Sequence, residues 1–254
     1  MNLTFDEHLE TFARAGFTVL PSMVSEHLCD SLFADIESDW QRFGSPPLHA
    51  RPDVEIGPSA HVSQVGFARG EALDFLPEVE SVLLEPMLLQ FLRAVFSTFE
   101  LEMCTSVLSD ETRPYLEWHQ HVGGIDEPNY RRKSYPRFER CERLGCTLYL
   151  APLDEAHGVL RVMARELTAP TEPPFDPKRQ DWIGAEHVQA PRGSLLLIDQ
   201  GTWHAVEPMH ASGRRAFVGS FVRRKGVEAR RHDAAVTRAL ARNAILASHY
   251  GASP

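Results

Sequence analysis

An antiparallel roll of two β-sheets with a helical layer in front, mainly β with flanking α, is the fold class this sequence predicts. Three observations carry it. The hydrophobic period is helical up to about residue 98 and becomes two from residue 99. The strands that follow are short and divided by turn-forming Gly, Pro and Asp. A helical pattern returns only near the end. The chain has 254 residues, 43% of them hydrophobic, enough for a sizeable core, and β-barrels of this length occur as one domain. One domain over 1–254 is therefore expected, with a helical part over about 1–98, a barrel over about 99–225 and a closing helix over about 233–248.

Thr4-x-x-Glu7 forms a capping box ahead of Leu9, Phe12 and Ala13, and Gly16 stops that helix. Phe17–Leu20 reads as a strand ended by Pro21. Ser25 caps a second helix whose stripe is Leu28, Leu32, Phe33 and Ile36. Residues 43–70, rich in Gly, Pro and Ser, read as a long loop that walls a pocket. A buried helix is expected over 78–98, carried by Val82, Leu83, Leu88, Phe91, Leu92 and Phe96. Strands follow at Phe99–Leu108 and Tyr115–His121. The break from Val122 to Arg143 holds Gly123-Gly124, two prolines and the basic Arg131, Arg132, Lys133, Arg137 and Arg140. It is either a solvated insertion or a lid. Further strands are expected at Leu144–Leu150, Gly158–Met163, Gly193–Asp199 and Arg214–Arg224, with a loop over Pro170–Asp181. The last helix, Asp233–Ser248, turns Ala235, Leu240, Ile245 and Leu246 inward.

A net charge of −9, from 26 basic and 35 acidic residues, argues against a nucleic-acid partner. No apolar run is long enough to span a membrane. Cys29, Cys104, Cys141 and Cys146 form no C-x-x-C pair, which excludes a zinc knuckle or thioredoxin-like motif and fits a reducing cytoplasm. A monomer or homodimer is expected.

The chemistry is concentrated in Glu117-Trp118-His119-Gln120-His121. On a strand, Glu117, His119 and His121 share one face. A metal that binds substrate or oxygen needs three protein ligands on one side and open positions on the other. Two imidazoles can come from i and i+2; a third must come from a neighbouring strand, and Gly201-Thr202-Trp203-His204 supplies it. Arg215, eleven residues further on, returns on the next strand, and a guanidinium fork suits a carboxylate.

These stretches resemble the phytanoyl-CoA dioxygenase family of iron(II)- and 2-oxoglutarate-dependent oxygenases. The likeness runs from Ala15-Gly16-Phe17-Thr18-Val19-Leu20-Pro21 through Trp118-His119-Gln120-His121 and Leu148-Tyr149-Leu150-Ala151-Pro152-Leu153-Asp154 to Gly193–Asp199, His204 and Arg215. It implies a double-stranded β-helix (jelly-roll, cupin-like) core. It also implies an Fe(II) site at His119, His121 and His204, and 2-oxoglutarate anchored by Arg215. The implied chemistry uses molecular oxygen for hydroxylation, desaturation or cyclisation of a small-molecule substrate. Thr147 and Tyr149 share a strand face and are expected to line the co-substrate pocket.

Two departures matter. The family's carboxylate ligand is replaced by His121, which leaves the iron one negative charge short; His121 is also not the small residue of the halogenating members. The family's Pro-Gly-Ser-His stretch is Val162-Met163-Ala164-Arg165, so Arg161 and Arg165 are candidates for contact with an acidic substrate. Glu117 is a candidate ligand, a hydrogen-bond acceptor for a ligand His, or a substrate contact, and Asp126 reaches the metal only if its loop folds back. Two alternatives stand beside this reading: a cupin-type three-His metal dioxygenase or isomerase without 2-oxoglutarate, and a barrel that only binds.

Overall fold

The computed structural model describes residues 3–121, 135–229 and 232–251. The first helix, α1 (Phe5–Ala15), begins where the sequence places it. The Thr4 N–H donates to Glu7 Oε2 at 2.6 Å and the Glu7 N–H donates back to Thr4 Oγ1 at 3.4 Å. Such a cap is worth about 1 kcal/mol. Gly16 ends it in the left-handed region at φ 75°, turning the chain at once into β1 (Phe17–Leu20). The next helix, α2 (Glu26–Arg42), is capped by Ser25 Oγ, which accepts from the Leu28 N–H.

The expected loop over 43–70 is instead three short strands, β2 (Val54–Gly57), β3 (Ala60–Val62) and β4 (Phe67–Arg69). Each is too short to show a period, and Gly57-Pro58-Ser59 and Gly66 hid the strands between turn residues. The helix expected over 78–98 is two, α3 (Val79–Leu83) and α4 (Pro86–Phe96), because Pro86 takes the first helical position and holds Glu85 in a non-helical conformation. The C-terminal helix also divides, into α5 (Ala234–Arg242) and α6 (Ala244–Tyr250), around an extended Asn243 whose side chain accepts from the Leu246 N–H. That break turns Ile245 out, 64% exposed, where an inward position was expected.

Eight strands make the barrel: β5 (Phe99–Asp110), β6 (Leu116–His119), β7 (Arg143–Tyr149), β8 (Leu160–Val162), β9 (Glu186–Val188), β10 (Leu195–Asp199), β11 (His204–Val206) and β12 (Arg214–Arg224). The large sheet runs β1-β10-β7-β12-β5-β4-β3-β2 and the small one β6-β11-β8-β9. From β5 the chain passes back and forth between the two sheets, except that β8 and β9 pair as neighbours in the small one, and every recorded pairing is antiparallel. This is the double-stranded β-helix. The short β9 and β11 were not legible as strands.

Burial follows three layers. Cys104, Leu108, Val218 and Val222 face the helices and pack with Leu32, Phe91 and Leu92. Phe17, Leu196, Ile198, Tyr149 and Phe217 meet Leu160, Val162 and Val188 between the sheets. Trp118, Trp182 and Trp203 cluster separately, with the Trp118 and Trp182 rings stacked at 4.2 Å. Each large side chain buried this way contributes about 1.5–3 kcal/mol. No helix among the described residues is long and apolar enough to cross a membrane.

Candidate metal centre

The centre is built where β6 and β11 pair. His204 sits directly opposite His119 in the register, and their ring centroids are 4.1 Å apart. The strand expected over 115–121 ends at His119; His121 lies just beyond it, and its N–H donates to the Gln200 carbonyl at 2.8 Å. That bond ties His121 to the turn leading into β11. Its ring centroid is 4.9 Å from that of His204 and 5.5 Å from that of His119. One nitrogen from each of the three rings lies within 4.8 Å of the others. No Asp, Glu or Cys joins the group among the described residues.

Two of the rings have their tautomers set by the backbone. The Nδ1 of His119 lies 2.8 Å from the Glu117 carbonyl, and that of His204 lies 3.0 Å from the Thr202 carbonyl. A carbonyl only accepts, so both Nδ1 atoms carry the proton and both Nε2 atoms present a lone pair. Glu117 thus contributes its backbone oxygen to His119, while its carboxylate stands outside the histidine group. The Nδ1 of His121 is buried with no hydrogen-bond partner among the described residues. Burial lowers the basicity of all three imidazoles. His121 is pushed down to about 3, with the neighbouring His119 adding to the effect, and His204 falls well below its ordinary value. At neutral pH they are three neutral nitrogen donors whose ligand atoms converge. That set fits a first-row transition metal, and the orphaned His121 nitrogen is the kind of buried polar atom an ion would satisfy.

The donors are held from behind. The Gly16 carbonyl accepts from the Asp199 N–H at 2.8 Å and from Thr202 Oγ1 at 3.2 Å, so the end of α1 braces the turn that carries His204. Behind His121, the buried pair of Arg143 Nε and Glu102 at 2.5 Å approaches the Gln200 side chain through Arg143 Nη1, at 3.5 Å.

Arg215 lies on β12, and the chain places it buried beside Tyr149, its guanidinium 5.9 Å from the ring centroid. Its Nη1 donates to the His157 carbonyl and, at 3.3 Å, to that of Gly158. Thr147 and Tyr149 both lie on β7, two residues apart, so they share a face; Tyr149 faces the space between the sheets beside Phe217. Opposite Thr147 in β12 stands Gly219, which leaves the floor there without a side chain. Phe221 closes against His121, rings 5.2 Å apart.

The other basic candidates are occupied by the protein itself. Arg161 pairs with Glu207 at 3.3 Å, donates to the Gln180 carbonyl at 2.8 Å and stacks over Trp118. Arg165 pairs with the buried Asp199 and donates to the Leu167 and Ala169 carbonyls at 3.1 and 2.7 Å. Both guanidiniums are thus engaged with protein partners. Asp126 and most of the expected lid lie outside the described residues. Trp203 packs in the tryptophan cluster and donates to the Thr171 carbonyl at 2.9 Å. One residue escaped sequence reasoning: Arg113, buried just before β6, which the pattern of a loop arginine ahead of Pro114 did not distinguish.

No family model matches the chain, and no curated protein matches it in sequence. Solved structures do resemble it. HygX from Streptomyces hygroscopicus, solved with nickel and 2-oxoglutarate bound, is 15% identical with a TM-score of 0.62, covering 91% of each chain. AviO1 from Streptomyces viridochromogenes Tue57 is 18% identical with a TM-score of 0.64, over 90% of this chain and 98% of its own. SnoK, a non-haem α-ketoglutarate-dependent carbocyclase from nogalamycin biosynthesis, is 16% identical with a TM-score of 0.60, over 89% of this chain and 88% of its own. At these identities the likeness is one of fold.

Proposed function

We propose that this protein is a non-haem iron(II) oxygenase that uses 2-oxoglutarate and molecular oxygen to oxidise a small molecule, with His119, His121 and His204 as its metal ligands. The observation that carries this reading is the convergence of three neutral imidazoles, two of them with Nδ1 pinned to carbonyls so that Nε2 is free. The fold supports it, since HygX holds nickel and 2-oxoglutarate on the same scaffold.

Iron(II) and 2-oxoglutarate bound together would allow molecular oxygen to oxidise an unactivated C–H bond, one oxygen atom going to succinate as carbon dioxide leaves and the other oxidising the substrate. The chain's own residues do the rest. The three histidines would hold the metal through one nitrogen each, with no carboxylate or thiolate joining them among the described residues. Arg215 offers Nη donors to the far carboxylate of the co-substrate, at a site where a buried cation needs an anion. Thr147 and Tyr149 line the strand between, over the gap left by Gly219. Phe217 and Phe221 keep that space dry.

A second reading is favoured by the donor set itself: without a carboxylate ligand, the site also suits three-His chemistry in which Arg215 grips the substrate's own carboxylate and no 2-oxo acid is used. Anaerobic titration separates the two. Iron(II) is added to metal-free protein, then 2-oxoglutarate, while the visible spectrum is followed. A weak charge-transfer band that needs both additions is the expected result. Iron binding with no further band on adding 2-oxoglutarate would favour the second reading.

A further inference from the structure

Arg113 and Arg215 form a pair of buried cations with no anion between them. Arg113 is 4% exposed, as is Arg215. The hydrogen bonds recorded for both guanidiniums go to backbone carbonyls: Arg113 to Glu207 and Pro114, Arg215 to His157 and Gly158. Neither makes an ion pair among the described residues. The carboxylates nearest in charge effect are taken, Glu207 by Arg161 at 3.3 Å and Asp154 by His157 at 2.7 Å.

The two guanidiniums also converge. A methyl group on Gly158 would stand 2.6 Å from Arg113 Nη2 and 3.2 Å from Arg215 Nη1, so both Nη ends crowd one glycine. Gly158 has φ +86°, a conformation that also favours glycine. Two like charges held this close in a dry site repel, and each pays for its lost hydration. Burial and the neighbouring Arg215 pull Arg113 down to about 10. Charge-assisted hydrogen bonds run about 2.7–2.9 Å, so the two oxygens of a single carboxylate can take one donor from each fork.

We propose that Arg113 is a second anchor for the far carboxylate of the co-substrate, acting with Arg215, and that the pair makes the site selective for 2-oxo acids carrying a second carboxylate. This rests on the 2-oxoglutarate reading above. The selectivity is electrostatic: a 2-oxo acid without the far carboxylate leaves two buried cations uncompensated.

The test is calorimetric and needs no turnover. Protein loaded with nickel(II) is titrated with 2-oxoglutarate and with 2-oxopentanoate, which has the same chain length and lacks the far carboxylate. Wild-type protein is expected to bind 2-oxoglutarate far more tightly. Arg113→Met is expected to weaken 2-oxoglutarate about ten- to hundredfold, the range of a lost hydrogen bond to a charged group, and to leave 2-oxopentanoate unchanged. Arg113→Lys, which keeps the charge without the fork, is expected to lose less and serves where the Met variant does not fold. Equal weakening of both acids, or no change in either, would make Arg113 a clamp on the Glu207 backbone only and overturn the proposal. If wild-type protein itself does not distinguish the acids, the 2-oxoglutarate reading falls, and this one with it. That failure shows in the wild type, whereas failure of the Arg113 assignment alone shows only in the variants.

Discussion

At the scale of single residues, His121 is the position that sets this site apart from a two-His-one-carboxylate triad. It is short of a charge, not of a donor: its N–H is held by Gln200, and its ring meets His204 and Phe221. His121→Asp restores a carboxylate and is expected to raise iron(II) affinity by roughly tenfold through direct charge attraction. His119→Ala removes a donor outright and is expected to lower it by at least about a hundredfold, beyond the 10–100-fold of an outer partner. Equilibrium dialysis of the two variants against iron(II) under anaerobic conditions measures both. The His-x-His pair and the spacing from His204 to Arg215 were legible in sequence because ligands on facing strands repeat at fixed offsets. Arg113 was not, because its role arises from where the loop before β6 meets the turn at Gly158, a contact between distant segments.

Elements carry the site through their ends. The α1–β1 junction is one case, where Gly16 occupies the left-handed region and its carbonyl braces Asp199 and Thr202. A side chain there would collide with Thr202 Oγ1 and come within 3.0 Å of the Arg165 carbonyl. Gly16→Ala is therefore expected to cost about 2 kcal/mol or more, from the positive φ and the collision together. It should also loosen His204, whose Nδ1 bonds to the Thr202 carbonyl. Urea unfolding gives the first effect, and nickel affinity of the folded variant gives the second. A variant as stable as wild type would remove Gly16 from this role. The helix start at Thr4 and the stop at Gly16 were readable because capping is local. The breaks at Pro86 and Asn243 are hidden in the sequence because the hydrophobic stripe persists across them. The strands at 54–69 are too short to show a period, and only the last of them, β4, reaches the barrel, by pairing with the distant β5.

For the molecule as a whole, the change of period at residue 99 located the barrel, and the order of the strands could not be read until pairing was seen. Two sheets enclose an interior that is apolar at Phe217, Leu196 and Ile198, with the buried cations Arg113 and Arg215 beside the turn at Gly158. The four cysteines are free and buried. Burial raises the thiol of Cys104 to about 12 and that of Cys141 well above its ordinary value. A raised pKa suppresses the thiolate, so at pH 8 the native protein is expected to react with a thiol reagent only as fast as it opens, and four thiols are expected to react at once in denaturant. Rapid labelling of the native state would show the core to be less closed than this packing implies.

Three histidines and no carboxylate, holding one metal ion, give a signature in anomalous scattering at the iron edge from crystals grown anaerobically with iron(II) and 2-oxoglutarate. The expected result is a single strong peak at coordination distance from His119, His121 and His204. A peak elsewhere, or one ligated by a carboxylate in place of His121, would contradict it.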